Sequence, residues 1–217
     1  TLDADPGNVV QGNIRALAQA DAFADGKLLI LDGTTLRTRT AGGTWGTITG
    51  TVSGTDRADT AISETELGIL SGGDIYVSDG SAIAAVTDPD FPSTITSLAV
   101  MSQRLLFSSS DGQFWFSSVL DFDDITGLNF YTAEGAPDGL IAVRVWAELA
   151  LMFGTRTLEM WYSEPSNAND PFSRASSVVP VGCKARDTIA ICSKGPVWVD
   201  PEDNVVALAG ADAPTVS

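Results

Sequence analysis

The chain has 217 residues and is 44% hydrophobic, which provides enough apolar side chains for a sizeable core in one domain of repeated units or in two small domains. Its 28 acidic and 12 basic side chains give a formal net charge of −16, and it contains no histidine. The charge argues against a basic surface for sequence-specific nucleic-acid binding, and the missing histidine argues against serine-protease-like and zinc-hydrolase chemistry.

Two short segments favour helix, but each could equally be a frayed turn beside a strand. The first is the alanine-rich stretch 13–22, and the second is Ser63–Glu66, which has the spacing of a capping box. Elsewhere aspartate and glycine are frequent, and both residues favour turns over helix interiors. We therefore expect strands joined by turns.

Asp-Gly pairs between short apolar or β-branched runs are the strongest local hairpin signal in the chain. They occur at residues 25/26, 32/33, 79/80, 111/112 and 138/139. The pattern predicts hairpins over 28–39, 74–86 and 104–116, and later ones over 149–162 and 197–208.

The predicted hairpins recur at a nearly constant interval. Lys27 to Asp74 is 47 residues, Arg104 to Leu149 is 45, and Leu149 to Pro196 is 47. A period of about 40 to 50 residues is typical of four-stranded propeller blades. The sequence therefore predicts an all-β fold, a β-propeller or partial propeller of four-stranded antiparallel blades, as a single domain over residues 1–217. An extra hairpin between Asp74 and Arg104 interrupts the repeat.

Several groups of side chains carry residue types that could support chemistry, and none gives a complete site. Asp121, Asp123 and Asp124 could bind a hard cation, but an EF-hand counted from Asp121 lacks its glycine and its final acid. A solvated turn explains these residues better. Glycines are not followed by the Lys-Ser/Thr ending of a phosphate loop. We predict no catalytic, cofactor-binding or metal-binding residues, no cofactor and no enzyme activity.

Aromatic residues raise the possibility of glycoside chemistry. Residues 109–115 and 42–45 are similar to the Asp-box turn of sialidase-like propellers, although the first is one residue too short between its Asp and Gly. Tyr76, Tyr131 and Tyr162 have no nearby motif for an activated nucleophile. Glu159 could line a sugar groove, but strand alternation favours a solvent-facing or interface charge. We expect four tryptophans to pack in the core between blades, with a role as ligand platforms as the second possibility: Trp115, Trp146, Trp161 and Trp198.

Three further features bear on where the protein is found: its apolar runs, its cysteines and the start of the chain. No apolar run approaches the roughly 18 to 20 residues of a membrane-spanning helix, so we expect no membrane insertion. Cys183 and Cys192 do not form a disulfide framework, and we interpret them as free thiols in a reducing compartment. The chain starts at Thr1 without an initiator Met or a signal-peptide pattern, so we expect it to be part of a longer polypeptide.

Beyond these patterns, a set of segments resembles, in order and spacing, the packaged-DNA stabilisation protein family of short-tailed bacteriophages. The segments are residues 28–37, 76–80, 95–100, 131–138, 153–161, 170–172 and 182–187. The resemblance covers most of the chain and implies a virion protein with a β-propeller body. It further implies a tail hub ring that docks below the portal and adaptor, helps retain packaged DNA and anchors tail appendages. Its expected partners are further copies in a homo-oligomeric ring, portal or adaptor proteins and appendage proteins.

The same resemblance implies location in the virion tail after assembly in the bacterial host cytoplasm. It supplies no catalytic residues. The alternative interpretation is a carbohydrate-binding, receptor-recognition propeller module, which would present exposed tryptophans as sugar platforms. An enzyme acting on glycans is a third interpretation, and it would need carboxylates clustered in a pocket.

Overall fold

The computed structural model describes residues 13–133, 138–164, 166–167, 170–210 and 212–216. In this part of the chain the regular structure consists of nineteen β-strands and two short 3₁₀ turns, at Ala24–Gly26 and Arg186–Thr188. The strands form five sheets, four with four strands and one with three. The predicted fold class, an all-β propeller of four-stranded antiparallel blades, is confirmed. No helix among the described residues is long and apolar enough to cross a bilayer.

The described residues form two compact units. The first comprises residues 13–89 together with 120–124. Its two sheets contain β1 (Ile14–Ala18), β2 (Leu28–Asp32), β3 (Thr35–Arg39) and β4 (Trp45–Thr47), then β5 (Asp59–Ile62), β6 (Leu67–Ser71), β7 (Asp74–Ser78) and β8 (Ile83–Ala85). Leu29 and Leu31 point to the same side of β2 and pack in one buried cluster with Leu67 and Ile69 of β6. Ile30 and Asp32, on the other side of β2, are buried too, so both faces of this strand are covered.

The second unit comprises residues 90–119 and the described residues from 125 onwards. Its strands are β9 (Ile95–Met101), β10 (Arg104–Ser109), β11 (Gln113–Phe116), β12 (Phe130–Thr132), β13 (Leu140–Trp146), β14 (Leu149–Gly154), β15 (Leu158–Ser163), β16 (Phe172–Val179), β17 (Ala190–Cys192), β18 (Gly195–Val199) and β19 (Val205–Ala207). They form sheets β9–β12, β13–β16 and β17–β19. Phe114 and Met152 belong to one core cluster, and Phe153 and Trp198 belong to another. The middle sheet thus contributes side chains to both clusters.

All five predicted hairpins are present. The pairs β2–β3, β7–β8, β10–β11, β14–β15 and β18–β19 are antiparallel and span the predicted segments. Gly33 and Gly80 lie in two of the turns with φ values of +57° and +92°. Glycine adopts this left-handed conformation without the steric penalty of a Cβ, which explains why the Asp-Gly signal locates these turns.

The Asp-Gly pair at 138/139 is an exception to that signal, because it connects β12 to β13 of the next sheet rather than forming a hairpin turn. The first helical candidate is also wrong. Residues 14–18 form β1, which pairs with β2, so sheet pairing overrides the helix preference of alanine. At the second candidate, Ser63 Oγ accepts hydrogen bonds from the amides of Thr65 and Glu66 within the β5–β6 turn, which confirms the turn interpretation.

The predicted interval of 45 to 47 residues holds for the last three sheets but not for the first three. The second strands of the five sheets begin at Leu28, Leu67, Arg104, Leu149 and Gly195, which are 39, 37, 45 and 46 residues apart. The 47-residue interval from Lys27 compares β2 with β7, a third strand. The hairpin that seemed to be extra is therefore the ordinary second half of the β5–β8 sheet.

Some sequence predictions concern residues outside those described or properties that the structure does not test. The start at Thr1 and residues 134–137 of the 131–138 segment lie outside the described residues. The single domain over 1–217 stays a prediction. Both cysteines are free thiols, as predicted, with Cys183 buried and Cys192 exposed.

Candidate functional site

The three aspartates considered as cation ligands lie in the segment 120–124 of the first unit. Asp121 and Asp123 share a hydrogen bond, and this contact, together with desolvation and the neighbouring negative charges, raises the pKa of Asp121. Among the described residues no three His, Cys, Asp or Glu side chains are placed to share a metal ion. The structure brings these aspartates together without arranging them as a ligand set.

The same segment is anchored by Glu66, whose role the sequence did not reveal. Glu66 Oε2 accepts a hydrogen bond from the amide of Phe122 at 2.9 Å, and the Phe122 side chain is fully buried. Burial raises the pKa of Glu66, and the negative charges of Asp121 and Asp123 raise it further, whereas the bond from Phe122 lowers it. Glu66 therefore holds a loop in position within the first unit.

The three tyrosines have different environments. Tyr76 Oη accepts a hydrogen bond from the Ser53 amide at 3.2 Å. The Tyr131 hydroxyl donates a hydrogen bond to Asp170, and burial followed by this hydrogen bond raises the Tyr131 pKa to about 12. A phenol with so high a pKa is protonated at neutral pH and is a poor nucleophile. Tyr162 is 48% exposed on β15.

Glu159 corrects the prediction of a solvent-facing charge. It lies in β15 opposite Met152 of β14 and Val178 of β16, and only 2% of the residue is exposed. Its carboxylate lies 3.8 Å from the guanidinium of Arg174, which is itself partly exposed. A neighbouring strand thus provides the compensating charge, and strand alternation could not reveal this because it does not show which strands flank β15.

The tryptophans divide into two groups. Trp161 and Trp198 are buried in the two core clusters of the second unit, as predicted, while Trp115 and Trp146 are half-buried. Trp161 packs edge-on against Phe114, with ring centroids 4.8 Å apart. The buried pair cannot act as the exposed sugar platforms that the carbohydrate-binding alternative requires.

The Asp-box-like segment forms the β10–β11 turn. Asp111 Oδ1 accepts a hydrogen bond from the Gln113 amide at 3.2 Å, and Gly112 has a φ of +89°. Ser109 lies buried beside Thr94. These contacts order a hairpin, and Asp111 and Gly112 also line a shallow cavity of about 580 Å³ together with Asp138 and Gly139.

Arg15 forms a polar anchor that sequence reasoning missed. It is 96% buried on β1, and its guanidinium donates to five acceptors in the first unit. These are the carbonyl oxygens of Gly33, Val52, Ser53 and Asp56 and the hydroxyl of Ser71. Because four of the five are backbone atoms 18 to 41 residues away, no side-chain motif could indicate the contact. Burial lowers the Arg15 pKa, partly offset by the charge of Asp56.

Asp138 is a second such anchor, in the second unit. Its Oδ2 accepts from the amides of Arg156 and Thr157 at 2.7 and 3.0 Å, which are in the β14–β15 turn. Gly154 lies so close to this carboxylate that a Cβ would collide with it. The Asp-Gly pair at 138/139 is therefore a turn-capping element for the following sheet.

The geometry gives a set of antiparallel sheets whose connecting loops are held by side-chain hydrogen bonds from Arg15, Glu66 and Asp138, an arrangement suited to presenting surfaces to other molecules. A family model described as bacteriophage P22 Gp10, beta-propeller, matches residues 9–208. No curated protein matches the chain.

Solved structures show the same fold. The chain is similar to the beta-propeller domain of Cps50 (Swd1) from Myceliophteria thermophila, with a TM-score of 0.62, 12% identity and coverage of 94% of this chain and 72% of that one. It is similar to virginiamycin B lyase from Staphylococcus aureus, with a TM-score of 0.60, 10% identity and coverage of 92% and 68%.

A third similar structure is PorZ, a surface component of the type-IX secretion system of Porphyromonas gingivalis. Its TM-score is 0.56 at 15% identity over 95% of this chain, which spans 29% of the length of PorZ. Identities this low extend the likeness to the fold alone.

Proposed function

Since the chain belongs to the bacteriophage P22 Gp10 β-propeller family, a phage stabilisation family with a structural role in the virion, we propose that it acts as a subunit of the tail hub. In this role it forms a homo-oligomeric ring below the portal and adaptor, helps retain packaged DNA and anchors tail appendages. The observation that carries the proposal is the family match over residues 9–208 on a chain that folds as all-β blades.

The role proposed is one of binding and support rather than catalysis. Buried Arg15 and half-buried Glu66 and Asp138 hold loops in place, and the Tyr131 hydroxyl donates a hydrogen bond to Asp170. Polar groups used in this way stabilise presented surfaces. Assembly in the bacterial host cytoplasm is part of the same proposal, and the free thiols of Cys183 and Cys192 agree with a reducing compartment.

The negative charge of the chain suits a passage for DNA. With a formal net charge of −16, the protein repels the phosphate backbone, so DNA can pass during ejection without being held. If the purified assembly bound duplex DNA tightly at physiological salt, this part of the proposal would be wrong.

Genome retention tests the proposed function directly. Phage particles assembled without this chain should package DNA and then lose it, as measured by nuclease-sensitive DNA in purified heads. Complementation with the wild-type chain should restore nuclease-resistant genomes and tailed particles. Particles that keep both their DNA and their tails without the chain would refute the proposal.

The carbohydrate-binding alternative stays a prediction. The tryptophans that it would use as sugar platforms are buried, as Trp161 and Trp198 are, or half-buried, as Trp115 and Trp146 are. Saturable binding of a host glycan by the purified chain would favour this alternative over the hub.

A further inference from the structure

A groove of about 730 Å³ lies at one end of the second unit, between the β9–β10 turn, the β13–β14 turn and the end of β15. Its lining is mostly apolar, with few polar groups, which is the usual composition of a binding groove. The lining residues are Val100, Met101, Ser102, Val145, Ala147, Glu148, Leu149, Tyr162 and Ser163.

The two turns that border the groove hold non-glycine residues in the left-handed backbone conformation, which costs them steric energy. Ser102 and Gln103 have φ values of +52° and +57°, and Ala147 and Glu148 have values of +49° and +61°. Glycine is the residue that adopts this conformation readily, and the β6–β7 turn uses Gly72–Gly73 for it. Non-glycine residues held in this region concentrate at functional sites. Ala24, Asp25, Leu120 and Asp203 share this conformation elsewhere, so what distinguishes these two turns is that they place Ser102 and Glu148 at the rim of one groove.

The polar groups of the groove favour a positively charged occupant. The Tyr162 ring is half-exposed, and Glu148 is exposed at the tip of a bordering turn. A cation can bind the face of an aromatic ring and a carboxylate at the same time, while Val145 and Leu149 can pack against its aliphatic stem. Ser102 and Ser163 add two hydroxyls, 2.6 Å apart.

The charge of the whole chain points to the same occupant. Acidic side chains outnumber basic ones by 28 to 12, so a basic partner is electrostatically complementary. A sugar would be held chiefly by planar amide and carboxylate groups, but no Asn, Gln or Asp lines the groove. Glu148 is its one charged residue.

We propose that this groove binds a segment of a partner protein in which an arginine or lysine is flanked by apolar side chains. The inference deepens the proposed hub function, on which it rests, by assigning one of its protein-docking surfaces. The basic side chain lies between the Tyr162 ring and the Glu148 carboxylate, and its apolar neighbours contact the walls formed by Val100, Val145 and Leu149.

Nuclear magnetic resonance titration of the 217-residue chain tests this with defined probes. The probes are acetyl-Leu-Arg-Leu-amide, acetyl-Leu-Glu-Leu-amide and methyl α-D-glucopyranoside. We expect the arginine peptide alone to shift the amide signals of the two bordering turns and of Tyr162, and we expect the shifts to shrink as salt screens the charge contribution. No shift with the arginine peptide, equal shifts with the glutamate peptide, or shifts with the glucoside alone would overturn the proposal.

Two variants examine the residues named. Glu148→Gln should weaken arginine-peptide binding roughly three- to tenfold, and Tyr162→Ala should weaken it at least as much. Glu202→Gln removes an exposed turn carboxylate outside the groove, so it should bind the peptide as the wild type does. Wild-type affinity in Glu148→Gln, with an unchanged amide spectrum elsewhere, would overturn the assignment. Genome retention is measured on particles, so a failure of the hub proposal would be distinguishable from a failure of this one.

Discussion

Replacing Arg15 with alanine tests whether buried polar anchors hold the first unit together. The wild-type guanidinium donates to Gly33 O at 2.7 Å, to Asp56 O at 2.8 Å, to Ser53 O at 3.2 Å and to Val52 O at 3.4 Å, as well as to Ser71 Oγ. Ser71 also donates to Ser53 O, so that oxygen keeps one partner in the variant.

The expected cost follows from the oxygens that lose their donor. Gly33 O, Val52 O and Asp56 O each lose the hydrogen bond from Arg15, and an unsatisfied buried polar group costs about 1 to 3 kcal/mol. Of these acceptor residues only Val52 is buried, whereas Gly33 is half-buried and Asp56 is exposed, so water can replace part of what is lost. We therefore expect Arg15→Ala to lower the free energy of unfolding by about 2 to 3 kcal/mol, which is more than the roughly 1 kcal/mol of a typical single substitution.

Urea denaturation measures this change, and hydrogen exchange of the β2 and β6 amides localises it to the first unit. Arg57→Ala is the matched control, because Arg57 is an exposed arginine on the same wall of the molecule and its loss should cost less than about 1 kcal/mol. Arg15→Lys keeps the charge but offers three donors in place of five, so its stability should lie between the other two. A loss below about 1 kcal/mol for Arg15→Ala would refute the anchor.

Three further substitutions test the rest of the fold. Trp161→Ala should cost about 3 to 5 kcal/mol by thermal or urea unfolding because this ring is 6% exposed, and half-buried Trp115→Ala should cost less; equal losses would contradict the core assignment. Gly182→Ala should destabilise the protein by about 1 to 3 kcal/mol, because the added Cβ would collide with a backbone carbonyl of the β14–β15 turn. Gly42→Ala is the control, because its Cβ meets no such contact, and similar stability of the two variants would contradict this prediction. The hydrogen bond from the Ser81 hydroxyl, followed by those from two backbone amides, lowers the Asp79 pKa from 3.8 to about 2. The ionised Asp79 carboxylate therefore stabilises the folded protein fully above pH 3.8, and this stabilisation is lost as the pH falls toward 2. Asp79→Asn should flatten the dependence of stability on pH in that window, and an unchanged slope would contradict the assignment.

Local turn chemistry made most of the fold predictable. Asp-Gly pairs located hairpins because the left-handed conformation of residues such as Gly33 and Gly80 is needed wherever these strands reverse. The continuous apolar run over residues 28–31 likewise forms β2, a strand buried on both faces. These signals lie within a few residues of the structure they specify, which is why sequence analysis detects them.

Features that depend on distant backbone were not predictable in the same way. Arg15 looks like an ordinary surface arginine until the carbonyls of residues 33 and 52–56 are placed around it. Glu159 is buried because β14 and β16 flank β15 and Arg174 lies nearby. For the stretch 13–22, alanine content leaves helix and turn as alternatives, because it says nothing about β2, the strand that pairs with residues 14–18.

The groove beside Tyr162 could not be predicted from the sequence either, because distant segments of the chain line it. Ser102 and Glu148 are 46 positions apart, and only the pairing of β9 with β10 and of β13 with β14 places their turns beside one cavity. The sequence singled out Tyr162 as a tyrosine without a motif. Its surroundings became interpretable only with the strands in place.

Electron cryomicroscopy of the intact phage particle tests the central claim most directly. The account predicts that density fitted by these β-sheets occurs as a ring of copies on the tail axis, in contact with the portal or adaptor, and that a tag on the chain adds density at that ring. Density for the chain on the capsid shell or on peripheral fibres, or its absence from purified particles, would contradict the account.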